Sequence, residues 1–390
     1  MKLPYELMEN EILLRLPVKY LLRFRCVSKE WCRLIDSNEF GKKHWRRMIE
    51  CNKRSVIFSG YDVGKFYLAD FEALDGGGDA VEINGPLGAL VSGAVFFGAA
   101  NGLVCVAKDM MNELFIFNPS TRKGRKIPSA PADFPRSRDS SEFVQCGFGY
   151  DHVNDDYKIV KIGESCFRFS GMKVIVYSLK SDSWKRIQDV PSNVQLIGDR
   201  GIFANGALHW FAVKDPANFS EDFVSFDLGL EQFKEVPLPP NATPRRSMFP
   251  VEESLGILYK YRGSRVDLWL MNTSGAGDLW SKALSLKQPG PLGSFTYFRP
   301  ITFSESRKSV LLEVDSTKLV WYEINRKAAK HVWIRGIPIN FESYLYTESL
   351  LQFTNDNQDK PLQKPSQDNQ DKKQHKNRDD FLSKGFKLRM

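Results

Sequence analysis

The sequence predicts an α+β multidomain chain. A small N-terminal α-helical unit at 1–50 precedes an all-β, propeller-like repeat body of about six blades at 55–353, and a polar tail at 355–390 is expected to be disordered. Three observations predict this. Apolar residues fall at helical spacing before residue 50, short β-branched and aromatic runs broken by Gly, Asn, Asp and Pro fill the middle, and one such run recurs about every 50 residues. With 390 residues, 42% hydrophobic and 13% aromatic, the chain can bury cores over two or three domains.

In the first unit, Pro4 suits an opening helical turn, and Leu7, Met8, Ile12, Leu13, Leu14 and Leu16 follow before Pro17 interrupts. These side chains point in most directions around the helix, leaving mainly the Glu11 and Arg15 side polar. A unit of about fifty residues has too few layers to cover such a rod, so something else must cover it. Either a partner does so, or the rod packs on the domain behind it. A second helix places Phe24, Val27, Trp31 and Leu34 on one face and Arg23, Ser28, Lys29, Glu30 and Arg33 on the other.

The repeat of the body is carried by runs starting at Phe66, Leu114, Val174, Val224, Val266 and Leu319, each followed by a polar turn and a second run. Four of the second runs close on proline, at Pro128, Pro191, Pro237 and Pro338. Spacings of 48, 60, 50, 42 and 53 residues, with several strands per unit, are those of propeller blades; a β-sandwich or barrel is the alternative. Ile83 to Ala107 lacks charge over a length that could cross a bilayer, but Gly85, Pro86, Gly88, Gly93, Gly98 and Asn101-Gly102 break it into short strands joined by turns.

The tail is Gln-rich and mixed in charge, and Lys372 to Arg378 reads as solvated charge or an import patch. The net charge of +8 does not mark a nucleic-acid binder. Residues 1–50 hold 11 basic and 7 acidic groups and 355–390 hold 9 and 6, which leaves 35 against 34 between them. Six scattered cysteines, Cys26, Cys32, Cys51, Cys105, Cys146 and Cys166, form no C-x-x-C pair and read as reduced, mostly buried thiols. Charged residues from Lys2 to Arg15 interrupt any export signal, so a cytoplasmic and/or nuclear location is expected.

Chemistry is sparse. His44, His152, His209, His331 and His375 lie far apart, and no metalloprotease, nucleophile-elbow, P-loop or dinucleotide spacing occurs. His209 reads as a strand histidine among aromatics. Asp151, Asp155 and Asp156 lack the glycine and closing glutamate of a calcium loop and read as a hairpin turn. No catalytic residue, cofactor or metal ligand is assigned.

Leu3-Pro4-Tyr5-Glu6-Leu7, Glu11 to Lys19 and Leu22 to Trp31 resemble the F-box in its plant form, with Tyr20 departing from the small residue usual there. Asn101-Gly102-Leu103-Val104-Cys105, Phe117 to Arg122, Gly147 to Asp151, Asp156 to Val160, Asn205 to Trp210 and Glu348 to Leu351 resemble, in order, the F-box-associated domain of plant F-box proteins. The resemblance implies a non-catalytic substrate receptor of a Skp1–cullin–F-box ubiquitin ligase. Its partners would be a Skp1-like adaptor, through it a cullin, and a protein target, with neither nucleic acid nor membrane. By the same resemblance Leu3, Pro4, Leu7, Ile12, Leu13, Leu16, Pro17, Leu21 and Phe24 would face the adaptor, while Val27, Trp31 and Leu34 hold the F-box together. Target recognition is expected in loops such as Asp75–Asp79, Ala130–Ser141 and Pro239–Pro250. A non-catalytic scaffold outside ubiquitin transfer, and a propeller enzyme or carbohydrate binder, are the alternative readings.

Overall fold

The computed structural model describes residues 8–353 apart from 62–63, 85–87, 89, 136–141, 166–171, 191–193, 216–219, 242–244, 262–264, 273–278 and 288. Leu3, Pro4, Leu7 and the polar tail therefore lie outside the described residues.

The N-terminal segment is not one helix. A π-turn at Met8–Ile12 and a 3-10 turn at Leu13–Arg15 lead into three α-helices, α1 (Val18–Phe24), α2 (Lys29–Ile35) and α3 (Asn38–Glu50). Pro17 stands at the N-cap of α1, where its fixed φ fits and its missing N–H costs nothing. The expected single helix through Phe24, Val27, Trp31 and Leu34 is corrected to two. Ser28 is extended and its hydroxyl accepts from the Trp31 N–H at 3.1 Å, so the chain leaves one helix and caps the next. Ser37 caps α3 in the same way, accepting from the Phe40 N–H at 3.2 Å.

Strands then follow in the order β1 (Ser55–Gly60), β2 (Lys65–Asp70), β3 (Val81–Glu82), β4 (Val95–Ala100), β5 (Leu103–Lys108), β6 (Glu113–Asn118) and β7 (Lys123–Lys126). Next come β8 (Glu142–Asp151), β9 (Asp156–Ser165), β10 (Lys173–Ser178), β11 (Ser183–Arg186), β12 (Gln195–Ala204), β13 (Ala207–Asp215), β14 (Ser220–Asp227) and β15 (Gln232–Glu235). The last are β16 (Arg246–Val251), β17 (Ser254–Lys260), β18 (Arg265–Met271), β19 (Trp280–Lys287), β20 (Phe298–Phe303), β21 (Ser309–Val314), β22 (Lys318–Glu323), β23 (Ala328–Val332) and β24 (Phe341–Tyr346).

They make six four-stranded antiparallel blades among the described residues: β4–β7, β8–β11, β12–β15, β16–β19, β20–β23, and a last blade ordered β24-β1-β2-β3. The final blade joins the two ends of the repeat region, because β24 pairs with β1 from Ser55↔Tyr346 to Gly60↔Phe341. Two blades share one sheet through a short parallel contact of their inner strands, Arg200↔Cys146 and Gly201↔Gly147. A Cβ on Gly201 would stand 2.2 Å from the Trp210 ring, so this close approach requires glycine.

All six repeating runs of the sequence are third strands, β2, β6, β10, β14, β18 and β22. Stacked blades bury these on both faces, as in β10, where Val174 to Tyr177 are all buried, and an unbroken apolar run results. Fourth strands lie at the sheet edge and read as polar, with Lys123-Gly124-Arg125-Lys126 and Ser183-Trp184-Lys185-Arg186, which blunts edge-to-edge pairing. No helix of the described residues is long and apolar enough to cross a membrane, and Val95 to Lys108 forms β4 and β5 with the Asn101-Gly102 turn between them.

Candidate functional site

Strand direction divides the propeller into two ends. Tyr346 at the close of β24 pairs with Ser55, which follows α3, so inner strands run toward the end that carries the helices. Turns between first and second strands share that end, and two of them meet α3 or the residues just after it. Lys42 of α3 pairs with Asp155 of the β8–β9 turn, and the Asn52 side-chain amide donates to Glu305 of the β20–β21 turn at 2.8 Å. Connections that enter each inner strand lie at the opposite, open end.

The helical unit has a small core of Leu13, Val18, Leu21, Ile35 and Phe40, closed by Leu350 from beyond β24. His44 is buried and its Nε2–H donates to the Leu16 carbonyl at 2.8 Å, which pins the 3-10 turn on α3; burial lowers its pKa. Arg25 at the end of α1 meets Asp36 at the end of α2 at 2.7 Å, and that hydrogen bond raises the guanidinium pKa further.

Of the residues expected to face an adaptor, Ile12 is 42% exposed, Pro17 is exposed, and Leu16 and Phe24 are half-buried. Leu13 and Leu21 are corrected: both are 0% exposed, because Leu350 and α3 cover them from the chain's own body. The alternative of packing on the domain behind thus holds for this side of the rod. Val27, expected inside, is 62% exposed, since it sits in the turn that Ser28 imposes. Trp31 and Leu34 pack on the core, with Trp31 edge-on to Phe24 at 5.6 Å. Ile12, Pro17, Tyr20 and Val27 are exposed apolar residues of the unit, and Leu14 and Leu16 are half-buried against its core.

Among the expected target loops, the described parts of Ala130–Ser141 and Pro239–Pro250 enter inner strands β8 and β16 at the open end. Asp75–Asp79 lies at the helical end: it joins β2 to β3, next to the Lys53–Glu72 ion pair, and Asp79 makes a bidentate pair with Arg335. The open end carries a polar cleft of about 530 Å³ lined by Tyr61, Thr296, Tyr297, Asp315, Ser316 and Glu342. Glu342 is held below the ordinary carboxylate range, burial opposing and the charges of Arg299 and Arg200 lowering it, and it accepts from the Tyr61 hydroxyl at 2.7 Å. A second, apolar hollow of about 480 Å³ opens where β8 and β12 splay apart, between Val144, Ile162, Met172 and Leu196. Exposed Ile339, Tyr61 and Ile197 stand around these openings.

The other side-chain clusters are structural. Asp151 caps its own hairpin, accepting from the Val153 and Asn154 N–H groups at 2.9 and 3.1 Å, and pairs with buried Lys158 at 2.8 Å, as the turn reading expects. His209 is buried and stacked on Phe223 with ring centroids 5.5 Å apart; desolvation lowers its pKa to about 4. Cys105 and Cys146 are buried, but Cys26 and Cys51 are exposed, which corrects the expectation of mostly buried thiols. Among the described residues no three His, Cys, Asp or Glu side chains gather as metal ligands.

A six-bladed propeller carrying a small helical unit at one end is the class of protein these features define. Residues 1–43 match the F-box domain and residues 93–353 match the F-box associated beta propeller domain, so the chain belongs to the F-box proteins with an associated propeller. It is 32% identical to F-box protein CPR1 of Arabidopsis thaliana over 97% of both chains. It is 30% identical to F-box protein At4g22390 of the same plant over 98% of both, and 28% identical to F-box/kelch-repeat protein At3g23880 over 80% of this chain and 86% of that one.

Proposed function

We propose that this chain is the substrate-recognition subunit of a Skp1–cullin–F-box ubiquitin ligase, with residues 1–50 as the docking unit, 55–353 as the target-binding body and 355–390 as a polar tail. The observation that carries the reading is the separation of two surfaces. The helical unit with its exposed apolar residues and the cleft-bearing open end lie at opposite ends of the propeller, so adaptor and target bind together without competing.

Ile12, Leu16, Pro17 and Phe24, with Leu3, Pro4 and Leu7, are the adaptor-facing set; Leu13 and Leu21 support it from within. Burying each large apolar side chain contributes about 1.5–3 kcal/mol before the costs of association. The chain itself carries no catalytic group in this reading. It raises the effective concentration of target lysines around a separate ubiquitin-loaded enzyme. The proposed site of action is the cytoplasm, the nucleus or both.

The test is reconstitution. Purified chain, Skp1-like adaptor and cullin assembly should extend ubiquitin chains on proteins captured by proximity labelling, and omission of the chain should stop it. Captured proteins whose half-lives do not change when the cullin is inhibited would favour the scaffold reading instead.

A further inference from the structure

The helical unit borrows part of its core from the far end of the sequence. Beyond β24 the chain runs through 347–353 between helices and propeller, and its side chains alternate between the two. Leu350, 3% exposed, enters the cluster of Leu13, Val18, Leu21, Ile35 and Phe40. Leu351 and Phe353 turn the other way, into the propeller cluster with Phe97, Leu103 and Ile116.

One propeller side chain fixes this strap. Asn118, wholly buried at the end of β6, donates from Nδ2 to the Ser349 carbonyl at 3.0 Å, the Ser349 hydroxyl at 3.1 Å and the Leu351 carbonyl at 3.0 Å. Its Oδ1 accepts from the Ser120 N–H at 2.9 Å and the Tyr346 hydroxyl at 3.1 Å. Two carbonyls facing Nδ2 fix the amide orientation, since a flipped oxygen would meet two acceptors. Gly102, at φ +78°, lies against Ser349, where a Cβ would come within 2.3 Å of its hydroxyl. Gly41 of α3 lies against the Leu350–Leu351 backbone, and Gln352 Nε2 donates to Asp36 at the end of α2 at 3.2 Å.

We propose that the F-box is completed only when the propeller closes. Helices of 7, 7 and 13 residues with a five-residue core form a unit too small to tolerate a leucine-sized void. Leu350 reaches that core only if β24 is seated on β1 and Asn118 holds 349–351. Sealing of the repeat body and completion of the adaptor-binding unit are then one event. A chain that is unclosed, or that ends before Leu350, presents a defective docking unit although every F-box residue is present.

Hydrogen exchange on the full chain tests this without the adaptor, so its failure is distinct from failure of the ligase reading. In Leu350→Ala the amides of α1, α2 and α3 should exchange at least roughly 30-fold faster than in the natural chain, while β16 to β19 keep their protection. Leu350→Met, which conserves volume, should restore the helices. Leu268→Ala, in the propeller cluster of β16 to β23, should loosen its own blade and leave the helices protected. Helical exchange within twofold of the natural chain in Leu350→Ala, or equal acceleration of helices and propeller, would overturn the proposal.

Discussion

Replacing Glu313 by Ala tests how the propeller is sealed. Glu313 Oε2 accepts from Arg299 Nη2 at 2.7 Å, from the Ser343 N–H at 2.6 Å and from the Ser343 hydroxyl at 2.5 Å. Arg299 is 5% exposed, Glu313 0% and Ser343 2%, so one carboxylate ties β20, β21 and β24 together away from water. Attraction of Glu313 holds the Arg299 pKa well above its ordinary value against the opposing effect of burial. Removing the carboxylate leaves a buried guanidinium without its nearest counter-charge, with only the more distant Glu342 still facing it, and a buried N–H without its acceptor, a loss of about 3–5 kcal/mol. At about 2 °C per kcal/mol for a chain of this size, the melting temperature should fall by about 6–10 °C. Urea unfolding followed by circular dichroism reads the energy and calorimetry the temperature. The double variant Glu313→Leu/Arg299→Met, which removes both charges, should recover most of the loss. A loss below about 1 kcal/mol in Glu313→Ala, or a double variant worse than the single, would mean that this carboxylate does not seal the propeller.

Three further outcomes are expected. Burial lowers the His209 pKa to about 4, so the unfolded chain binds a proton that the folded chain refuses. Stability is complete above about pH 6.5 and falls by about 3 kcal/mol as pH drops toward 4, with buried His44 adding in the same direction; His209→Leu should flatten that slope in urea titrations at several pH values. Gly102→Ala should cost more than about 1 kcal/mol, because alanine strains at φ +78° and its Cβ strikes Ser349; an unchanged urea midpoint would contradict this. Mass spectrometry after brief alkylation of the native chain should find Cys26 and Cys51 modified. Cys105 and Cys146, buried and in the case of Cys146 pushed up to about 12, should stay unmodified until the chain unfolds.

The parts legible in the sequence are those where burial is two-sided and local. Third strands such as Val174 to Tyr177 are packed on both faces and leave an unmistakable apolar run, so the blade period emerged from them. Fourth strands such as β7 are edge strands whose polar residues read as turns. The break between α1 and α2 had a local signal, a serine three residues before Trp31, but the apolar period running through Val27 masked it. Leu13 lies inside because its covering residue, Leu350, is more than 300 positions away in the sequence, whereas Val27 lies outside because it sits in the turn before the Ser28 cap. The Asn118 clamp spans 231 positions to Ser349, and although both ends lie in segments that resemble the F-box-associated domain, nothing in either segment pairs it with the other. Long-range contacts of this kind belong to topology rather than to periodicity.

Calorimetric titration of the full chain with a Skp1-like adaptor measures the proposed docking face itself. The natural chain should bind, Leu16→Asp should lose at least about tenfold in affinity because a carboxylate must be buried unpaired, and Ile197→Asp at the open end should bind as the natural chain does. Undiminished binding by Leu16→Asp, or loss of binding by Ile197→Asp in a folded chain, would contradict it.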